Sequence, residues 1–249
     1  LMLSFYTVHT PLQPKSELRA YYRDKLNEQP NAHWDNPDYA SMVHAMDQNV
    51  GRVLEAVDRL GLSDDTIVVF FSDNGGLRSV TNSHPLRSGK GYYYEGGVRV
   101  PLIVRWPGVT EPGSICYWPV ISNDFYPTLL EMAELPARPE QHLDGLSLVP
   151  LLQGEPSLPR DTFYWHYPHY HGSGETPCSA IRCGDYKFIR HYERGATELY
   201  NLREDVGERH DLSNLMRDKA MELEVMVDDW LAVMDAYVPI PVGPTRFGG

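Results

Sequence analysis

The sequence predicts a mixed α/β fold followed by a smaller antiparallel-sheet unit, and three observations carry that reading. An amphipathic repeat over Asp38–Leu60 leads at once into the β-branched and aromatic run Thr66–Phe71, and a second apolar run follows at Val100–Trp106. Helices and strands in this alternation mark an α/β arrangement. Around residues 153–160 the texture changes to short strand-like runs separated by turn residues, and a last long helical repeat follows them.

Each element has a local reason. In the first repeat Tyr39, Met42, Val43, Met46, Val50, Val53, Leu54, Val57 and Leu60 recur at steps of three and four, and Gly61 closes it; this is the period of one helix face with a C-terminal stop. Thr66–Phe71 does not alternate, which suits a strand covered on both faces, as in a parallel sheet. Val100–Trp106 is a second such strand, ended by Pro107-Gly108. Ser122–Glu134 reads as a helix capped by Ser122 or Asn123, with Phe125, Leu129, Leu130 and Met132 inward. Thr162–His166, Ala180–Cys183, Lys187–Arg190 and Glu198–Tyr200 predict a small antiparallel sheet. The repeat Ser213–Ala236 lays Leu215, Ala220, Leu223, Val227, Trp230, Leu231 and Met234 on it. The predicted domains are 1–152 and 153–249, with an irregular tail at Pro239–Gly249. Leu1–Tyr6 is strand-like, with neither the charged start nor the cleavage site of a signal peptide, so the chain is expected to begin inside a strand of something longer.

Composition narrows the function classes. The chain has 249 residues, 34 acidic and 22 basic side chains and a net charge of −12. Such a balance, with no lysine–arginine run, disfavours nucleic acid as a partner. No apolar run approaches the roughly 18 residues that span a bilayer, so no membrane helix is expected. The cysteines are Cys116, Cys178 and Cys183, at spacings that fit neither a zinc site nor a dense disulfide framework. A Cys178–Cys183 bridge is conceivable, but partly buried free thiols are the plainer reading.

Ser72-Asp73-Asn74-Gly75-Gly76 follows the first predicted strand. Ligand sites in α/β sheets form at the carboxyl ends of strands, and adjacent carboxylate and amide oxygens suit a hard cation such as calcium. Taken alone, the same residues also make an ordinary turn. Further on, Lys90 stands between Gly89 and Gly91 in Pro85-Leu86-Arg87-Ser88-Gly89-Lys90-Gly91, placed to aim an ammonium at an anion or simply to be solvated. The stretch Trp165–Gly174 is rich in histidine and aromatic residues; His169 and His171 are candidates to stack on and hydrogen-bond a sugar ring.

Taken in order, Ser72–Gly76, Pro85–Gly91 and Tyr94-Glu95-Gly96-Gly97-Val98-Arg99-Val100-Pro101 resemble the type I, formylglycine-dependent sulfatases of the alkaline-phosphatase-like superfamily. Val8–Pro11, Tyr39–Leu62, Asp124–Leu130, Asp144–Leu148, Ala180–Lys187 and Glu198–Leu202 extend the resemblance over nearly the whole chain. It implies an alkaline-phosphatase-like sandwich, here with a partial central sheet, and a smaller carboxyl-terminal subdomain of antiparallel sheet plus helix. It implies Asp73 and Asn74 as calcium ligands, Lys90 as the sulfate-contacting lysine, and His9 as the histidine beside the leaving-group oxygen. It also implies a hydrolase for sulfuric esters, here of sulfated carbohydrates rather than of steroid or lipid sulfates, and an exported, periplasmic or secreted protein.

The sequence departs from that pattern in one respect. None of its cysteines opens a Cys-x-Pro-Ser-Arg motif, so the formylglycine nucleophile and the other calcium ligands are expected on a missing amino-terminal segment. That segment or a partner chain would complete the sheet, and the chain alone is expected to be inactive. Two other readings stay open: a phosphomonoesterase or phosphodiesterase of the same superfamily, and a non-catalytic sulfoglycan-binding protein. Against the first, Asn74 offers an amide oxygen, a poor zinc ligand and a reasonable calcium one.

Overall fold

A computed structural model describes residues 1–30 and 35–240; His33, for which the sequence suggests a structural or surface place, and residues 241–249 of the tail lie outside them. In chain order the elements are α1 Ser16–Glu28, α2 Pro37–Arg59, β1 Val68–Phe71, α3 Glu95–Val98, β2 Leu102–Arg105, α4 Phe125–Met132, α5 Val149–Leu152, β3 Thr162–Tyr167, β4 Cys178–Cys183, β5 Tyr186–His191, β6 Ala196–Asn201 and α6 Arg217–Val233. They fall into two compact units, one of residues 1–56, 72–101 and 162–249, the other of residues 57–71 and 102–161.

In the larger unit β3, β4, β5 and β6 form an antiparallel meander. Its central register sets Ala180 against Ile189 and Ile181 against Phe188, so neighbouring residues serve opposite faces. One face carries Ile181, Phe188 and Leu199 against Ala220, Leu223, Val227 and Leu231 of α6. The other carries Cys178, Ala180, Ile189 and Tyr200 against Tyr94. Both faces are therefore covered, one by the helix and one by the segment that contains Lys90. Trp230 faces inward as expected and stacks on Tyr164 at 4.9 Å. Leu215 and Met234 do not; at 81% and 53% exposure they sit beyond the ends of α6, where the helical period no longer sets their direction. Cys178 and Cys183 close opposite ends of β4, about 16 Å apart by strand rise, too far for a bridge.

In the smaller unit β1 pairs antiparallel with β2, Val68 opposite Arg105 and Phe71 opposite Leu102. This corrects the expectation of a parallel strand buried on both faces. Val69, Phe71 and Ile103 are exposed; by the register Val69 and Phe71 stand on one face and Ile103 on the other, so neither face of this two-stranded sheet is fully covered among the described residues. An apolar run without alternation records the capacity to be covered, not the covering. The helix α4 also turns differently from expectation: Pro127 and Thr128 are buried while Leu129 is 52% exposed. Asp124 decides this. Its buried carboxylate accepts from the N–H of Ile121 and of Leu146, each at 2.9 Å, and pairs with both arms of Arg160 at 2.9 and 2.6 Å. Asp124 stands at the N-cap position of α4 in place of Ser122 or Asn123, but its carboxylate ties down the preceding turn and the Leu146 backbone and makes no bond to the helix's own N–H groups. Thr128 then meets the N–H of Leu148 at 2.8 Å.

Two further expectations change. Leu1–Tyr6 forms no strand, and its residues are exposed, since no described strand lies alongside to pair with it. On α2 only Ser41 and Met42 are buried, with Val43 and Leu60 exposed. The helix α1, with no buried residue, lacks the apolar period that would have announced it. Among the described residues no helix is long and apolar enough to cross a membrane.

Candidate functional site

The site lies in the larger unit. Its first piece is the turn Ser72–Gly76, where the Ser72 hydroxyl donates to the Asn74 carbonyl at 3.1 Å. The Asn74 amide nitrogen donates to the Gly75 carbonyl at 3.1 Å, which leaves its oxygen unspent. The turn is held by backbone: Gly75 N–H to Gly97 carbonyl, 3.0 Å, and Lys90 N–H to Gly76 carbonyl, 2.9 Å. A side chain on Gly75 would run into the Gly96 carbonyl, so this approach requires glycine. The lysine loop and the Asp73-Asn74 turn are therefore one backbone assembly.

Two of the predicted catalytic residues meet directly. Lys90 Nζ lies 3.2 Å from His9 Nε2. His9 Nδ1 is 2.7 Å from the Thr10 carbonyl, which can only accept, so Nδ1 carries the proton and Nε2 offers its lone pair to the ammonium. Of the two histidines proposed for substrate, the structure brings one to this assembly. Gly91, at φ +84°, has no side chain, and a Cβ there would strike the His171 ring and Ser173; the imidazole packs straight onto the lysine loop. His171 Nδ1 accepts from the Ser173 N–H at 3.0 Å, which puts the ring proton of the neutral form on Nε2. His169 is exposed and sets its ring edge-on to Tyr167, 5.5 Å away.

For a cation, the turn provides an exposed Asp73 and a half-buried Asn74. These are hard oxygen donors of the kind calcium takes, but calcium takes about six to eight. Among the described residues no group of three or more histidine, cysteine, aspartate or glutamate side chains could hold a metal ion. The donor set fits part of a calcium site.

What sequence reasoning missed is the clamp behind the lysine loop. Lys187 of β5, fully buried, stands 3.0 Å from Glu95 and 3.0 Å from Glu208. The Glu95 N–H donates to Glu208 Oε2 at 2.7 Å. Burial is the largest influence on Glu95 and pushes it up, yet Lys187, Arg182 and Arg99 together hold it below the usual carboxylate range. At Glu208 burial prevails over Lys187, and its carboxyl is raised. Beside this trio the Arg87 guanidinium lies 3.9 Å over the Tyr94 ring and donates to the Tyr200 hydroxyl at 2.6 Å and the Glu208 carbonyl at 3.0 Å. A hint existed in the sequence: a lysine between Tyr186 and Phe188 in a strand, and a glutamate directly before two glycines.

Glu198 closes the clamp, accepting from the Tyr94 and Tyr200 hydroxyls at 2.7 and 2.8 Å and pairing with Arg194. Burial alone would raise its carboxyl, but His191, 3.5 Å away, and the hydrogen bonds from Tyr94 and Tyr200 hold it well below the ordinary range. The folded value lies below the unfolded one, near 4.3. The stability it contributes is therefore complete above about pH 4.3 and is lost as the pH falls further towards the folded value. Glu198→Gln should lower the unfolding free energy at pH 7 by about 1–3 kcal/mol, with the difference shrinking as the pH falls below 4. Urea unfolding of both proteins across that range checks this; a pH-independent difference would refute it.

Comparison with known proteins points one way. The family model described as Sulfatase matches residues 1–135, and that of the N-sulphoglucosamine sulphohydrolase C-terminal region matches residues 88–232. A sulfatase of Formosa agariphila is 39% identical over 92% of this chain and 45% of its own length. The mouse steryl-sulfatase is 38% identical over 67% of this chain and 26% of its own length. The chain thus spans less than half of either relative. Among solved structures, Ps i-CgsB in complex with k-i-k-neocarrahexaose shares 31% identity at a TM-score of 0.78, over 96% of this chain and 51% of that one. BT4656 in complex with its substrate D-glucosamine-2-N,6-O-disulfate shares 26% at 0.67, over 86% and 46%.

Proposed function

Because the chain belongs to the sulfatase family, we propose that it supplies the lysine–histidine part of a calcium-dependent hydrolase for sulfate esters of carbohydrates. The observation that carries this is the 3.2 Å approach of Lys90 Nζ to His9 Nε2, on a loop bonded through its backbone to the Asp73-Asn74 turn. A positioned ammonium beside an imidazole lone pair is suited to an ester whose charge grows as the S–O bond breaks. Lys90 holds the sulfate oxygens and offsets that charge. His9, its ring fixed by Thr10, exchanges a proton at Nε2 with the leaving-group oxygen. Asp73 and Asn74 would hold calcium together with donors outside this sequence; when bound, the ion orients and polarises the sulfate group.

Sulfated sugars are favoured as substrates by the ligands in the two solved relatives. They are favoured also by the histidine loop, which seats His171 against Gly91. Replacing His169 and His171 together by alanine in a full-length sulfatase carrying this chain should raise KM for sulfated sugars about tenfold, the scale of one lost hydrogen-bonded contact. Unchanged kinetics on every sulfated sugar tried would remove both residues from the site. Periplasmic or secreted placement accords with this substrate class.

The nucleophile is expected on an amino-terminal portion or partner chain, which would also cover exposed apolar residues of β1 and β2 such as Val69 and Ile103. The decisive assay is sulfate-ester turnover by the 249-residue chain with calcium present. No turnover above background is expected, and real rates would overturn this division of labour.

A further inference from the structure

Behind the lysine loop the larger unit holds a cleft of about 430 Å³, lined in part by Ser88 and Tyr92, the residues two before and two after Lys90. Three guanidiniums reach it, those of Arg78, Arg87 and Arg194, and they differ in what they have left to give. Arg87 is spent on Tyr94, Tyr200 and Glu208. Arg194 is paired with Glu198. Arg78 is exposed and has no carboxylate partner among the described residues. Its Nη1 donates to the Tyr92 hydroxyl at 3.3 Å, and its guanidinium lies 5.3 Å from the centre of the Tyr92 ring. Tyr94 stacks near the same ring at 6.4 Å, so the aromatic support under Arg78 is itself supported.

This arrangement fixes a cation without neutralising it. An arginine held over an aromatic ring by one of its N–H groups keeps the others as a fork for an oxyanion. Neither carboxylate in the cleft lining pairs with it among the described residues. Glu193 accepts from the Tyr170 hydroxyl at 3.1 Å, and buried Glu175 accepts from the Thr176 N–H at 3.0 Å. The arginine is also tied to the candidate site: its Cγ would lie 3.1 Å from a Cβ on Gly89, the residue before Lys90.

We propose that Arg78, presented on Tyr92, is a second oxyanion-binding position that takes an additional sulfate group of a polysulfated sugar whose first sulfate meets Lys90. This rests on the reading of Lys90 given above. It would make the chain prefer ligands with two sulfates to ligands with one.

The test is calorimetric binding of the 249-residue chain to a disaccharide carrying two sulfates and to its monosulfated counterpart. Four proteins are compared: wild type, Arg78→Ala, Arg78→Gln and Lys90→Ala. Wild type should bind the disulfated ligand about tenfold more tightly, the scale of one charge-assisted contact. Both Arg78 variants should lose that preference while binding the monosulfated ligand within about twofold of wild type. Unchanged melting temperatures are expected from an exposed side chain, and agreement of the two variants separates a lost contact from a disturbed fold. The proposal is overturned if the Arg78 variants keep the preference, or if wild type shows none, including by binding neither ligand. Failure of the Lys90 reading looks different: wild type then binds measurably and Lys90→Ala binds both ligands as tightly, whatever the Arg78 variants do.

Discussion

Lys187→Met should lower the unfolding free energy by about 3–5 kcal/mol, the usual result of removing one partner from a buried ionic cluster. The side chain is fully buried and ion-paired at 3.0 Å with both Glu95 and Glu208. Methionine fills much of the volume, but Glu208 then loses its counter-charge and Glu95 keeps only the weaker support of Arg99 and Arg182. Most domains have about 5–15 kcal/mol in all, so the variant should melt far below the wild type. A triple variant adding Glu95→Gln and Glu208→Gln removes the stranded charges and should recover much of the loss. Thermal and urea unfolding of the three proteins decides it. A single variant within about 1 kcal/mol of wild type, the net scale of one ordinary hydrogen bond, would show that the trio is not the clamp described.

Lys90→Ala should reduce kcat/KM for sulfate esters about 100- to 1000-fold in a full-length sulfatase carrying this chain, as removal of a single positioned charge-stabilising donor does elsewhere. Lys90→Arg should not restore the rate, because a planar fork cannot stand in for a compact ammonium at one point in a tight loop. Stability should hardly change, since Lys90 is half-exposed and, among the described residues, its ammonium bonds only His9. A loss smaller than about tenfold, roughly 1.4 kcal/mol of the barrier, would place the lysine outside the reacting centre. The two predictions separate cleanly: Lys187 governs whether the loop is held, and Lys90 governs what the held loop does.

Much of this was present in the chain as written. The periods of α2 and α6, the four strands of the meander and the order of the Asp73, Lys90 and Glu95 segments are local properties. Each shows in about ten to twenty neighbouring residues, because side-chain direction repeats with the backbone. The motifs also brought Lys90 and His9 to one site, where the structure sets them 3.2 Å apart.

Tertiary structure alone decided the rest. The direction in which β1 meets β2, the pairing of Asp124 with Arg160 and the packing of His171 on Gly91 all depend on partners remote in sequence. Lys187 shows the reason most plainly. It meets Glu95 across 92 positions, and Glu95 meets Glu208 across 113. A charge becomes buried and paired only when the fold removes its water and supplies its counter-charge at the same moment. No window along the sequence contains both events, so the candidate residues His9, Asp73, Asn74 and Lys90 could be named from the chain, and the ones that hold their loops in place could not.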